Sequence, residues 1–99
     1  MLLELTFYCS LLAPGKAITA SGTPAVAFQT LSVDRRVIRK GSYVRFVVPG
    51  YGPVRARADD TGSAVRGNIV DLFVGYGPAA CSLARRLGRV KNTPATLEN

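Results

Sequence analysis

DDTGSAVRGNIVDLF, residues 59–73, holds three of the four aspartates of this 99-residue chain. The chain as a whole is basic, with 13 Lys and Arg against 6 Asp and Glu and a formal net charge of +7. Acid is therefore concentrated in one short segment, and Gly62 and Gly67 lie between its aspartates. Glycine has no Cβ and tolerates positive φ, so a ligand can come close to main-chain amides there. The segment thus combines carboxylates with an open backbone, as a binding or catalytic site requires.

Apolar and β-branched segments alternate with turn signals about every ten residues, which predicts an all-β domain. A helix is predicted over 77–88, because Pro78 suits the first helical position and Gly88 suits the stop. We expect one domain with a core of about 3–91 and a polar tail over 92–99, since 99 residues supply one modest core. The predicted strands are 3–9, 26–33, 42–48, 54–59 and 68–74, with a turn at 49–52.

The environment of each aspartate follows from the two-residue period of a strand. In 54–59 this period puts Asp60 in phase with the apolar face and Asp59 in phase with the arginines. We therefore expect Asp60 to point inward and Asp59 to be solvated. Asp71 lies in an otherwise apolar strand, where a lone carboxylate needs a partner or a raised pKa. It is either a strand-end residue bonded to loop amides or a functional acid.

The composition excludes several kinds of chemistry. Histidine is absent, which removes imidazole bases, Ser-His and Cys-His nucleophile pairs and most zinc sites, so we predict no metal and no cofactor. Cys9 and Cys81 could form a disulfide, but two free thiols are favoured because the sequence does not show that they meet. No apolar run approaches the ~20 residues of a membrane span. The N-terminal residues lack a basic n-region and predict no secretory signal.

DTGSAVRGNIVDLF, residues 60–73, resembles the signature of the 3D domain, a family named for three aspartates. LTFYCS (5–10), ITASGTPA (18–25), LSVDRRVIRKGSYV (31–44) and VPGYG (48–52) are similar to further segments of that family, in the same order. VGYGPAACSLARRLGRV (74–90) is similar to the end of the catalytic domain in the membrane-bound lytic transglycosylase A family. The resemblance covers most of the chain and extends to the stationary-phase and resuscitation-type murein lytic transglycosylases.

This resemblance implies an all-β fold, a six-stranded double-psi β-barrel with one short helix near the C-terminus. It also implies a lytic transglycosylase that cleaves the MurNAc–GlcNAc bond of peptidoglycan and forms 1,6-anhydroMurNAc. Asp71 matches the third aspartate and would be the acid/base, while Asp60 matches the second and would orient it. Asp34 matches the first and is a substrate-binding candidate. The other substrate-binding candidates are Thr6, Lys16, Ser21, Thr61, Gly62, Ser63, Gly67 and Asn68.

Peptidoglycan glycan strands are the predicted partner, and the cell envelope or periplasm is the predicted site of action. The alternative function is a non-catalytic glycan-binding or structural module on the same barrel. Larger family members wall their groove with a second domain, so a homo-oligomer or a partner domain would complete it here. A phage lysis enzyme or virion component would explain the predicted lack of a signal. Nucleic acid is disfavoured, because the aromatic residues do not interleave with a basic stripe.

Overall fold

The computed structural model describes residues 1–98, which form six strands and one helix. The strands close into a single barrel in the order β1-β5-β2-β4-β3-β6, so each strand has a neighbour on both sides. The predicted six-stranded barrel with one short helix is therefore confirmed, and its double-psi form stays a prediction. The elements are β1 (Leu2–Ser10), β2 (Thr30–Ser32), β3 (Tyr43–Val48), β4 (Gly52–Asp60), β5 (Ile69–Tyr76), α1 (Pro78–Leu87) and β6 (Val90–Glu98).

The barrel wall mixes parallel and antiparallel pairs. β1 with β5 and β2 with β4 run parallel, and the other four neighbours run antiparallel. The consecutive strands β1, β5, β2 and β4 therefore bring together residues that lie far apart in the sequence. The interior is filled by apolar side chains in alternation along each strand. The buried core includes Leu3, Leu5, Leu31, Ile38, Val44, Phe46, Val48, Val70 and Leu72.

The hairpin of β3 and β4 has the predicted turn, since Val48 pairs with Gly52 across it. By contrast, β2 is much shorter than the predicted strand over 26–33. The Val26 amide donates to the Thr30 hydroxyl at 2.8 Å, and the Thr30 amide donates to the Val26 carbonyl at 3.1 Å. These bonds fold residues 26–29 into a turn, which leaves only Thr30–Ser32 for the sheet.

Helix α1 confirms the predicted helix and its boundaries. Pro78 opens it, and the Gly88 amide donates to the Ala84 carbonyl after its last turn. The helix packs against β1 and β5 on the outside of the barrel. Among residues 1–98, no helix has the length and apolar character needed to cross a membrane.

The expectation of two free thiols was wrong, because Cys9 and Cys81 form a disulfide with their Cα atoms 5.1 Å apart. β1 and β5 run parallel as far as the pair Ser10 and Tyr76, and α1 begins two residues later. The first turn of the helix therefore lies beside the end of β1. This proximity depends on strand pairing, which the spacing of two cysteines does not reveal.

The segment after residue 91 is not the predicted polar tail. Val90–Glu98 forms β6, which pairs with β1 on one side and β3 on the other and so closes the barrel. Its exposed polar positions face solvent, while Thr93 is buried and Leu97 packs against the core. The polar composition of this segment reflects a strand with one solvent-exposed face. Asn99, the last residue of the predicted tail, lies outside the described residues.

Candidate functional site

A row of polar side chains crosses the four strands β1, β5, β2 and β4. Thr6 pairs with Asp71 across β1 and β5, and Asp71 pairs with Ser32 across β5 and β2. Ser32 in turn pairs with Asp60 across β2 and β4. Asp60 and Asp71 are thus separated by one residue of the short strand between them. The barrel topology brings together two of the predicted site aspartates.

Asp71 lies half-buried between the fully buried Val70 and Leu72. The Thr6 hydroxyl lies 2.9 Å from Oδ1 of Asp71 and 3.0 Å from the Val70 carbonyl oxygen. Burial raises the pKa of Asp71, and the negative charge of Asp60 raises it further. The Thr6 hydrogen bond and the positive charge of Arg89 act in the opposite direction. The net result is a carboxyl that holds its proton to higher pH than an exposed aspartate does.

Asp60 accepts three hydrogen bonds. Its Oδ1 receives the amides of Ala20 at 3.0 Å and Thr61 at 2.9 Å, and its Oδ2 receives the Tyr8 hydroxyl at 3.2 Å. Two of these donors belong to different loops, so the carboxylate joins the loop around Ala20 to the start of the 61–68 loop. The three donors fix the orientation of the Asp60 carboxyl group.

The predicted orientations of Asp59 and Asp60 were wrong. The β2–β4 register shifts between the pairs Leu31 with Ala58 and Ser32 with Asp60, so Asp59 is an extra residue in β4. The bulge ends the alternation, and Asp60 turns towards Tyr8 instead of the core. Asp59 is buried rather than solvated, with its Oδ1 3.4 Å from Nε of Arg57.

Tyr8 and Ser32 complete the site, and sequence reasoning did not find them. The Ser32 hydroxyl donates to the Tyr8 oxygen at 3.4 Å, and the Tyr8 hydroxyl donates to Asp60. The Tyr8 ring packs against the buried Phe73, with centroids 5.2 Å apart. Burial raises the pKa of Tyr8 far above its ordinary value, so the phenol stays a donor. Its position two residues after Thr6 in a two-residue period was the available signal.

An ion pair of Glu4 with Arg89 borders Asp71 and was also missed. Glu4 lies on β1 two residues before Thr6, and Arg89 lies between α1 and β6. The side chain of Arg89 is about half exposed, so this cation stands at the solvent side of the pair. It brings a positive charge into the neighbourhood of a carboxyl whose pKa is raised by burial.

Asp34 does not join Asp60 and Asp71 and instead clamps two loops together. It accepts the backbone amide of Gly67 at 2.9 Å and forms a two-pronged ion pair with the Arg36 guanidinium. These hydrogen bonds hold its pKa well below the usual range, although the side chain is only 8% exposed. Asp34 thereby fixes the end of the 61–68 loop to the turn that follows β2.

The remaining candidates of the 61–68 loop are exposed, apart from the half-buried Gly67. Gly67 has a φ of +63°, as predicted for a glycine in this loop. Gly62 was expected to share this conformation and does not. A Cβ at Gly62 would instead lie 3.2 Å from Cγ2 of Val65, so glycine is favoured there by a close contact. The exposed candidates are Thr61, Gly62, Ser63 and Asn68.

Lys16 and Ser21 lie on the segment between β1 and β2. Lys16 is exposed, and its amide donates to the Ala13 carbonyl at 3.0 Å. The Ser21 amide donates to the Asp59 carbonyl at 3.1 Å, next to Asp60. The Ser21 hydroxyl is buried and has no hydrogen-bond partner within residues 1–98. Of these two, only Ser21 borders the aspartate row.

Within the described part of the chain, no three His, Cys, Asp or Glu side chains are arranged to hold a metal ion. Asp60 and Asp71 lie close together in different environments, an arrangement that suits proton transfer.

The family model of the 3D domain matches residues 29–93. The chain belongs to the 3D-domain family. Two of the three aspartates of the predicted 3D signature, Asp60 and Asp71, are those that the barrel brings together, while Asp34 binds the loop that joins them. No curated protein matches the chain.

Solved lytic transglycosylases share the fold. MltA from Escherichia coli is 26% identical with a TM-score of 0.70, over 89% of this chain and 28% of that chain. E. coli MltA with bound chitohexaose has a TM-score of 0.73 at 24% identity, over 88% and 28% of the two chains. MltA from Neisseria gonorrhoeae is 30% identical with a TM-score of 0.62, over 81% and 20%. The 3D-domain chain thus spans less than a third of the length of these proteins.

Proposed function

We propose that this protein is a peptidoglycan lytic transglycosylase with Asp71 as its acid and base. The observation that carries the proposal is the environment of Asp71, half-buried, bonded to Thr6 and close to a second carboxylate. A general acid near neutral pH needs a raised pKa, and burial next to a negative charge supplies it. The fold shared with lytic transglycosylases supports the same conclusion.

The reaction needs one carboxyl in two roles. Protonated Asp71 donates its proton to the glycosidic oxygen as the bond between C1 of MurNAc and O4 of GlcNAc breaks. The C6 hydroxyl of the same MurNAc then attacks C1, and its proton passes to the Asp71 carboxylate. The products are a 1,6-anhydro end and a free GlcNAc hydroxyl, and Asp71 is protonated again. Since the sugar supplies the nucleophile, no second carboxylate is needed to activate water.

Thr6 suits both states of Asp71. One hydroxyl proton cannot serve the Asp71 carboxyl and the Val70 carbonyl fully at once, although both lie within 3.0 Å. When Asp71 is ionised, the Thr6 hydroxyl donates to it. When Asp71 is protonated, its own proton can point to the Thr6 oxygen while the hydroxyl turns to Val70. A single rotation therefore stabilises both the acid and the base.

Asp60 would act as an anion beside the reacting sugar. Its three donors hold the carboxylate in place, and its charge raises the pKa of Asp71. A negative charge close to C1 also stabilises the positive character of an oxocarbenium-like transition state. Tyr8 and Thr61 fix the two carboxylate oxygens in place.

Substrate binding would use the loops around this row. Thr61, Ser63 and Asn68 present exposed polar groups, and Gly67 leaves its side of the loop open. Asp34 would contribute by holding that loop and Ser21 by bordering the aspartate row, with Lys16 as an exposed cation on the same segment as Ser21. The proposed ligand is a peptidoglycan glycan strand.

The disulfide supports action in the cell envelope or outside the cell, since disulfides persist in oxidising compartments. A phage lysis or virion role is one route to that compartment. Detection of the protein in purified virions, or only in lysates, would distinguish these two roles.

The test compares wild type, Asp71→Asn and Glu98→Gln on purified peptidoglycan, with products identified by mass spectrometry. Glu98→Gln removes the same charge from a carboxylate that binds Arg45 and Arg55 on the far strands. We expect anhydro-muropeptides from wild type and Glu98→Gln, and at least a hundredfold less from Asp71→Asn. Reducing-end products instead of anhydro ends would replace the proposed reaction by hydrolysis.

The second candidate function is glycan binding without cleavage. The exposed polar groups of Thr61, Ser63 and Asn68 favour it, because they can bind sugar hydroxyls whether or not the glycosidic bond is cleaved. Retention on peptidoglycan with no products from folded wild type would support this function. Products that appear only at concentrations where the protein self-associates would instead indicate a groove completed by a second copy.

A further inference from the structure

A second cleft lies beside the aspartate row, with a volume of about 750 Å3. It is bounded by the 23–30 segment and by strands β3 and β4. This volume is within the range of small-ligand sites, roughly 300–1,000 Å3. Its principal side chains are Phe28, Gln29, Tyr43, Tyr51, Arg57 and Asp59. Neither Asp60 nor Asp71 lines it.

A stacked pair of aromatic rings lines this cleft, with Phe28 half-buried against the core and Tyr51 exposed. Phe28 and Tyr51 stack face to face, with centroids 3.8 Å apart and planes within 2°. Tyr51 lies in a tight turn, where a small polar residue is usual, and it is 55% exposed. Tyr51 therefore presents a flat surface to solvent, supported from beneath by the half-buried Phe28 ring. Such a surface suits a ligand with a flat apolar face of its own.

The backbone holds Phe28 in an unfavourable conformation. Its φ is +61°, which is rare for a bulky residue, and most such positions are occupied by glycine. The Phe28 amide donates to the carbonyl of the buried Phe73 at 2.7 Å, which fixes this conformation. Strained backbone of this kind concentrates at ligand sites. It is a second observation, independent of the ring stacking, that points to a ligand.

The charges around the cleft are already compensated. Nε of Arg57 lies 3.4 Å from Asp59, and Arg55 binds Glu98 at 2.8 Å while its guanidinium stacks on Tyr43. The cleft thus offers donors and acceptors without an excess of either charge. An anionic polymer would find its arginines occupied, and an apolar helix would leave their polar groups unsatisfied.

We propose that this cleft is a second carbohydrate site that binds a neutral N-acetylhexosamine unit. A pyranose ring has an apolar C–H face that fits Tyr51, and hydroxyl and acetamido edges that fit Gln29, Arg57 and Asp59. The choice of sugar rests on the proposed function, whereas the cleft itself does not.

The cleft also shares structure with the aspartate row. Asp59 precedes Asp60 in β4, and the loop that donates to Asp60 through Ala20 continues to Thr23 at the rim of the cleft. A sugar held here would anchor the protein on a glycan close to the bond to be cleaved.

The test is an NMR titration of wild type with chitobiose, a disaccharide short enough to occupy one site at a time. We expect the amides of Phe28, Gln29, Tyr51 and Arg57 to shift along one saturation curve. Tyr51→Ala should weaken this binding about tenfold, the effect of losing one stacking contact. Val47→Ala is the matched control, since Val47 is exposed on the same hairpin but does not line the cleft.

Phe28→Gly provides a second variant, since glycine accepts the positive φ while the ring is lost. Binding at the cleft should be weakened in Phe28→Gly and unchanged in Asp71→Asn, whatever the catalytic outcome of Asp71→Asn. Binding should also persist at high salt, because the ligand is neutral. Shifts confined to the amides of Thr6, Ser32 and Asp71 would overturn the proposal. Equal affinities of Tyr51→Ala and Val47→Ala would overturn it as well.

Discussion

Asp71 is a carboxyl in a largely apolar setting that also has polar neighbours. It occupies a strand position between two core residues, yet it reaches a hydroxyl on one side and another carboxylate nearby. Burial and the charge of Asp60 both disfavour its ionised form, and Thr6 limits their effect. The pKa of this carboxyl is therefore raised at a cost in stability of the folded barrel, as is common for functional acids.

Replacing Asp71 by Asn should remove the stability cost of the raised pKa and give a gain in stability that depends on pH. Because the folded pKa of Asp71 is raised, the folded state binds more protons than the unfolded state between the two pKa values. Wild type then loses stability as the pH rises through that window, while Asp71→Asn does not. The advantage of the variant should be small below about pH 3.9 and grow above it. Urea unfolding at a series of pH values measures the difference.

Glu98→Gln supplies a control of opposite sign. Arg55 and Arg45 lower the pKa of Glu98, so its contribution to stability is present at neutral pH and lost as the pH falls through its folded pKa. We expect this variant to be less stable than wild type near neutrality and equal to it in acid. An Asp71→Asn curve parallel to wild type at every pH would contradict the assigned pKa shift.

At the level of secondary structure, two irregular elements shape the site. The bulge in β4 turns Asp60 towards Tyr8, and the turn before β2 sets Phe28 against Tyr51. Helix α1 has no fully buried residue of its own, so the link from Cys81 to Cys9 is its firmest attachment to the barrel. Cys9 follows Tyr8 directly, which places this attachment next to the aspartate row.

The disulfide should contribute strongly to stability, because it closes a span of 72 residues. Loop-closure entropy gives about 4 kcal/mol for a loop of this size, by restricting the unfolded chain. We expect reduction, or the pair Cys9→Ser and Cys81→Ser, to lower the free energy of unfolding by about that amount. Urea unfolding of oxidised and reduced protein at one pH measures it.

Ser10→Ala, one residue beyond the disulfide, controls for local changes in β1. Coincident unfolding curves for the oxidised and reduced protein would show that the cross-link does not form in solution.

The molecule as a whole carries its positive charge unevenly. The turn after β2 and the neighbouring 61–68 loop together contain five cationic residues and one acidic residue, Asp34. The cations are Arg35, Arg36, Arg39, Lys40 and Arg66, and all five are exposed. A concentration of one charge attracts anionic surfaces at long range and loses this effect as salt screens it.

Removing part of this cluster should weaken retention on anionic cell-wall sacculi. The double variant Arg39→Gln and Lys40→Gln should elute at lower salt than wild type. The matched control, Arg85→Gln and Arg86→Gln, removes two exposed charges from the end of α1. It should elute at higher salt than the Arg39→Gln and Lys40→Gln variant. Retention of folded protein across a NaCl series provides the measurement. Equal losses from both pairs would mean that net charge, rather than its location, controls retention.

Much of this protein was determined by its sequence alone. Strand periodicity and turn residues predict β1, the β3–β4 hairpin and β5, because alternation and glycine-proline turns are local properties of the chain. Pro78 and Gly88 fix the helix for the same reason. The spacing of Asp60 and Asp71 in a signature segment indicated the family and the two aspartates at the centre of the site.

Only the tertiary structure decided how these parts meet. The disulfide, the Tyr8–Asp60 hydrogen bond and the Glu4–Arg89 pair all join residues more than fifty positions apart. The polar strand β6 extends to Glu98 because β1 and β3 pair with it on its two sides, although its own sequence favours at most a short strand at its start. The bulge at Asp59 follows from the register between β2 and β4. Each depends on which strands become neighbours in the closed barrel, and no local pattern encodes that.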